Sequence, residues 1–447
     1  MKMTRPQNPG DRGGPQQLVA EVGLDRTLGF GQITASGVGI IIGAGIYVLL
    51  GSSTAEAGSA VWLSFLLAGG LSALTALSYA ELASMFPSAG AEYEYTRQVA
   101  PPWMAFVVGW VMILGLVIAS AAVALGFASY LRYFVAVPLR LGAWALLGLV
   151  TLVALGGIKQ SARLTVTLSA FQVGGLLVII AIGIPHLGEH SLVAGSTTTG
   201  VVSAAALVFF AFIGFDEVIT LAEETKNPGR TVPRALLLAL AVSTLLYVAV
   251  AVAAISVLGP AALGASEQPL ADVMAVAVGS RSATMVAVIA MIATTNTSLL
   301  AITAASRLQY GMAHAGVLPE QFRRLNSRRA PWIALIGAAT VAAGFVGMGD
   351  LELVAGITDF SVYLVFVAVN AAVILLRFRQ PNRPRPFAVR GRIGALPLIP
   401  VGALCAVGLL LPSLEVGALL IGAMVALVGV GVYLPLSRLA VADELER

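Results

Sequence analysis

An all-α membrane protein of about twelve transmembrane helices is the fold that this sequence predicts, and three observations carry that prediction. Of 447 residues, 58% are hydrophobic and only 11% charged, whereas a soluble domain carries roughly a quarter charged. Apolar runs of about 20 residues, enough to cross ~30 Å of hydrocarbon, recur along almost the whole chain. The basic residues gather on one side of those runs. A cytosolic enzyme of ordinary composition is thereby excluded.

The twelve runs lie near 30–51, 58–86, 103–131, 141–157, 164–185, 200–222, 235–258, 282–306, 331–348, 353–376, 395–412 and 416–436. The first is too long, and begins too deep in the chain, to read as a cleavable signal. With the N-terminus inside, only Arg132, Arg140 and Arg281 of the 26 Lys and Arg residues lie outside. The remaining 23 fall in the two tails and the inner loops, at Lys159 and Arg163, Lys226 to Arg234, Arg323 to Arg329 and Arg377 to Arg392. This positive-inside bias predicts cytoplasmic termini and an even helix count, in the plasma membrane (the inner membrane of a bacterium). It also accounts for the net charge of +4 without a nucleic-acid partner. The lone Cys405 excludes an internal disulfide and a cysteine-based metal site.

Between the runs, Gln309–Ala315 reads as a short interfacial helix and Gly259–Ser280 as a stretch holding another short helix across the outer mouth. Arg377 to Pro386 (RFRQPNRPRP) reads as an extended linker, because proline disfavours helix at itself and at the residue before it. The chain then divides into a cytoplasmic tail over 1–29, five helices over 30–185 and five over 200–376. A basic linker over 377–394, two further helices over 395–437 and a tail over 438–447 complete it. Five is odd, so the second set of five enters from the opposite side, giving a 5+5 inverted repeat plus two C-terminal helices.

Helices 1 and 6, which open the two sets, are both broken by glycine. The first contains Gly39 to Tyr47 (GIIIGAGIY) and the second Phe209 to Asp216 (FFAFIGFD). In hydrocarbon an unpartnered backbone group costs several kcal/mol, so a break survives only where protein or a watery cavity supplies partners. Matched breaks in corresponding positions are the best sequence pointer to a transporter's central site. At Gly43, Ala44 and Gly45 a half-helix begins, whose exposed N–H groups attract a carboxylate. The Ile40 and Ile41 carbonyls lack helical N–H donors and would accept from an ammonium group. Gly-x-Gly also serves simple close packing of helices; the pairing with helix 6 favours the site.

In helix 6, Phe210 is positioned to close over a ligand at the break beside Ile213 and Gly214. The other phenylalanines serve equally as core filling. Asp216, a carboxylate at mid-depth, marks either an ion path or a cap of the second half-helix. Glu223 and Glu224 read as inner-surface residues, and Glu81 as interfacial. Asp359, near the outer third of helix 10, is a gate candidate. The polar run Thr294 to Ser298 in helix 8 offers Thr294 and Asn296 to a cavity, although such hydroxyls also bond back to their own helix. Phosphate loops and histidine clusters are missing, His186, His190 and His314 falling between the runs, and no catalytic set assembles at one depth. Transport driven by a gradient or by exchange is the reading; an enzyme is not.

These motifs resemble the amino acid–polyamine–organocation permeases over nearly the full length. The matching segments are GVGIIIGAGIYV, SYAELASMFPSAGAEYEY, FFAFIGFDEVITLAEETKNPGRTVPRAL, SRLQYGMAHAGVLP and RPRPFAV. The resemblance implies the leucine-transporter-like fold and a secondary-active permease for cationic or small neutral amino acids. It places the ligand carboxylate at Gly43, Ala44 and Gly45, and the amine near carbonyls of Ile40, Phe210 and Ile213. An aromatic gate falls on Phe210 and an acidic residue on Asp216. Several proton-coupled members carry a lysine midway along helix 5; this chain has Gln172 there, which leaves Asp216 as the leading proton carrier, or else exchange without protons. The pair His314-Ala315 also departs from the family's usual charged pair. The implied partners are an amino acid, the lipid bilayer and protons, with no cofactor or metal. A polyamine or amine exchanger, which needs no carboxylate-binding donors, and a non-transporting amino acid sensor are the competing readings.

Overall fold

The structure is a computed structural model that describes residues 29–86, 91–157, 162–220 and 225–445. Lys159, Glu223 and Glu224 lie outside the described residues.

Every one of the twelve apolar runs carries helix. The first run holds two helices, α1 (Phe30–Ile41) and α2 (Gly45–Ala57). A 3-10 turn leads into α3 (Val61–Met85), the short α4 (Ala91–Arg97), α5 (Pro102–Leu131), α6 (Leu139–Leu155) and α7 (Ala162–Gly183). The sixth run is again interrupted, into α8 (Thr198–Val208), a 3-10 segment (Phe209–Phe212) and α9 (Glu217–Thr220). There follow α10 (Pro228–Gly264), α11 (Pro269–Ala277), α12 (Ser280–His314), α13 (Trp332–Val346), α14 (Leu351–Arg379), α15 (Leu398–Leu410) and α16 (Val416–Leu445). Among the described residues, eight helical segments are long and apolar enough to cross a bilayer, and four shorter apolar helices accompany them. The architecture is that of an all-α, multi-pass membrane protein.

Helix ends follow local chemistry. Asn227 takes a left-handed conformation (φ 52°) and Pro228 opens α10, where its missing N–H costs nothing. Thr197 caps α8 by accepting from the Gly200 N–H at 3.0 Å. Asp350 caps α14 in the same way through the Leu353 N–H, at 2.9 Å. Gly259 (φ 72°) interrupts α10 just before Pro260, so the long helix kinks there and its tail leads to α11.

Two expectations change around the ends of α12 and α14. Gln309–Ala315 is no separate helix, because α12 runs unbroken to His314. Ser306, Gln309, Met312 and Ala313 stay buried along that extension, so continuing the helix buries one more face than a turn would. Likewise Arg377–Arg379 are helical, completing α14, and the extended segment starts only at Gln380. Arg377 is held there by buried Glu81, as described below. The segment ends in a two-residue hairpin, Arg392–Ile393 against Leu396–Pro397.

α5 shows why composition predicted burial. It has no charged residue from Pro102 to Leu131, and a helix apolar on every side belongs inside. It packs against α12, α14, α6, α13 and α16. A second group joins α10 with α3, α1 and α2. Between them, Asn370 of α14 accepts from the Ser78 hydroxyl at 2.6 Å and donates to Thr75 of α3 at 3.2 Å. Most other buried hydroxyls, such as those of Ser53, Thr54 and Thr244, bond to carbonyls four residues back, the harmless solution in a dry interior.

Candidate binding site

Helix 1 stops at Ile41 because the next three residues leave helical geometry: Ile42 has ψ 64° and α2 restarts only at Gly45. The loose ends find partners. Gly43 donates its N–H to the Ile41 carbonyl at 2.8 Å, and Ala44 donates to the Thr297 hydroxyl of α12 at 3.1 Å. Helix 6 breaks at Ile213 (ψ 137°) and at Gly214, whose φ of 106° lies where only glycine is relaxed. Asp216 accepts from the Gly214 N–H at 3.2 Å, which ties the unwound turn to itself.

The two breaks meet. A Cβ on Gly45 would stand 2.4 Å from Ala211 Cα, and one on Gly214 would stand 3.3 Å from the Ile40 side chain. The Tyr247 hydroxyl of α10 lies 2.7 Å from the Ile41 carbonyl oxygen and 3.0 Å from that of Ala211, sharing its proton between them. One side chain therefore satisfies backbone on both broken helices, as the bilayer interior requires.

Beside this junction is a cavity of about 60 Å³, room for roughly four waters at 10–15 Å³ each. Its lining includes Ile40, Ile41, Gly43, Ala44 and Gly45 from helix 1, and Phe210, Ile213 and Gly214 from helix 6. Asn296 and Thr297 of α12 close one side, and Leu116, Ala119 and Val123 of α5 give an apolar wall. Glu217 is its charged member.

Several candidates fall elsewhere. Asp216 is buried one residue outside the lining, where its charge acts on Glu92 of α4. Burial, and after it that charge, pushes the Glu92 carboxyl up from 4.5 to about 7. Thr294 spends its hydroxyl on the Ala290 and Met291 carbonyls of its own helix. Gln172 sits behind helix 1, where its carbonyl accepts from the Tyr47 hydroxyl at 2.8 Å; its buried amide has no hydrogen-bond partner among the described residues. Asp359 is fully buried in α14, apart from the cavity, and both its oxygens lack hydrogen-bond partners among the described residues. Phe209, Phe212 and Phe215 are core: Phe212 packs on Tyr247, and Phe215 on Tyr79 and Phe366.

Sequence reading missed three contributors. Tyr247 is an aromatic in a long, mostly apolar helix, and with Ser243 and Thr244 one turn before it it forms no motif that singles it out. Glu217 was overshadowed by Asp216, since the register of a helix that begins after a break is not readable from periodicity. The α5 wall consists of ordinary apolar residues, which no motif marks.

Two broken helices packed around a common cavity inside a multi-pass bundle define a membrane transporter. Comparison with known proteins agrees: the amino acid permease family model matches residues 28–432, and the chain belongs to that family. Among similar proteins is a branched-chain amino acid permease of Bacillus subtilis (strain 168), 32% identical over 86% of this chain and 88% of the relative. A methylthioribose transporter of the same organism is 31% identical over 85% of this chain and 86% of its own. The vacuolar cationic amino acid transporter 2 of Arabidopsis thaliana is 31% identical over 84% of this chain and 64% of its own. These are transporters, not enzymes.

Proposed function

We propose that the chain is a secondary-active permease that carries small neutral amino acids by alternating access. The observation that carries this reading is the single cavity onto which both breaks open. The substrate carboxylate binds at Gly43, Ala44 and Gly45, taking the Ala44 N–H from Thr297. The ammonium group binds at the Ile40 carbonyl, with Phe210, Ile213 and Gly214 facing it across the cavity.

Neutral side chains are favoured over cationic ones because the cavity is small, and Leu116, Ala119 and Val123 offer a side chain only apolar contact. The branched-chain permease relative fits this preference; the cationic transporters fit the competing one. In this reading 30–185 and 200–376 are the two inverted halves, both termini are cytoplasmic, and Asp216 beside Glu92 carries the coupling proton.

Uptake of radiolabelled alanine, leucine and arginine into proteoliposomes, with and without pH and sodium gradients, tests all of this. Saturable leucine or alanine uptake, accelerated by an inward proton gradient and lost in Asp216→Asn, is expected. Arginine as the better substrate, or dependence on sodium alone, contradicts it.

A further inference from the structure

A second cavity, of about 480 Å³, opens between α5, α12, α13 and α16, and it shares no residue with the central one. Ile113 and Val117 of α5 form one wall, Gly337 of α13 and Gly431 of α16 the others, and Phe322 stands at its inner end. A Cβ built on Gly337 or Gly431 meets nothing within 4 Å, so neighbouring side chains leave this space open. From Trp110 to Val117 the α5 wall runs about 10 Å along the helix. The largely apolar lining carries one buried amide, Gln309. Left empty in hydrocarbon, such a slot forfeits dispersion contacts along its whole length.

The loop over 315–331, which gives Leu318, Pro319 and Phe322 to the cavity lining, is basic: it holds Arg323, Arg324, Arg328 and Arg329 against a single acid, Glu320. Arg323 is engaged, donating from Nε to the Ala313 carbonyl at 2.8 Å. Arg324, Arg328 and Arg329 are exposed and, among the described residues, form no ion pair. Basic pockets between transmembrane helices on the cytoplasmic side hold anionic headgroups. A second copy of this chain is a poor occupant, because its own basic loop would meet this one.

We propose that this cavity binds one acyl chain of an anionic phospholipid of the inner leaflet, with the headgroup held by Arg324. The chain lies between Gly337 and Gly431 and wedges α5 and α12 against α13 and α16. Since α12 also supplies Asn296 and Thr297 to the central cavity, the lipid braces the helix that faces substrate.

Thermal unfolding of the purified full-length chain in neutral detergent tests this, with phosphatidylglycerol, phosphatidylcholine or soluble glycerol phosphate added at equal concentration. Phosphatidylglycerol is expected to raise Tm, phosphatidylcholine far less, and glycerol phosphate not at all. Arg324→Gln should raise the half-maximal phosphatidylglycerol concentration about fivefold. Gly337→Leu should remove the response by filling the slot, and Gly431→Leu repeats the test should the first variant not fold. Equal stabilisation by both lipids, or by glycerol phosphate, overturns the proposal. So does an unchanged phosphatidylglycerol response in the leucine variants, or a dimer on size exclusion that those variants abolish.

Discussion

A methyl group added at Gly45 would stand 2.4 Å from the Cα of Ala211 and 3.1 Å from its backbone nitrogen. The obstacle is backbone, so no rotamer relieves it. Gly45→Val is expected to separate the broken helices, to cost at least about 1–3 kcal/mol as overpacking does, and to stop uptake. Gly70 of α3 is the control, because a Cβ there meets nothing within 4 Å. Gly70→Ala should leave Tm and uptake near the parent values, measured in the same preparation.

Tyr247→Phe removes a single oxygen; the Ala211 carbonyl loses that donor, while the Ile41 carbonyl keeps the Gly43 N–H. Stranding a buried acceptor costs about 1–3 kcal/mol. A lower Tm with slower uptake is the expected outcome, read by thermal melting and by flux on one batch. Parent-like values for both would show that the bridge is dispensable.

Much of this arrangement was legible in the chain. Both breaks, the twelve helical runs and the short α11 follow from glycine placement and hydropathy, because lipid punishes any unpartnered backbone. The detail that escaped depends on which face a residue takes after a break. Asp216 and Glu217 are neighbours in sequence, yet only Glu217 lines the cavity, while Asp216 bonds back to Gly214. Thr294 and Asn296 likewise part company, one turned to its own helix and the other to the cavity. Gln309–Ala315 reads as a separate helix in the sequence because nothing local reveals that Ser306, Gln309, Met312 and Ala313 are buried along a continuous α12.

Glu81, which reads in sequence as an interfacial residue, is 1% exposed. It accepts from Arg377 Nε at 3.1 Å and from the Val389 N–H at 2.7 Å, with Arg385 Nε 3.4 Å away. This cluster staples the segment after α14 to the C-terminal end of α3. Removing one partner of a buried pair costs about 3–5 kcal/mol, whereas replacing both with apolar residues costs far less. Arg377→Met alone should therefore collapse Tm, and Glu81→Leu with Arg377→Met should restore part of it.

Glu92 lies in α4, outside the spans, with its carboxyl raised to about 7. Between 4.5 and about 7 the folded protein holds a proton that the unfolded chain has released. Stability therefore falls as pH rises through that window and returns on acidification. Melting curves from pH 5 to 8 should show this slope, and Glu92→Gln should flatten it. An identical slope in the variant would assign the effect to another group.

The central claim is that unwound backbone at Gly43–Gly45 holds the substrate. A valine at Gly43 begins 3.0 Å from the Thr297 hydroxyl, in the cavity and on the loop meant to take the carboxylate. Equilibrium binding of radiolabelled leucine and alanine to detergent-purified parent and Gly43→Val, matched for Tm, is the most direct measurement. Saturable binding by the parent and none by the folded variant is predicted; parent-like affinity in Gly43→Val would contradict the account.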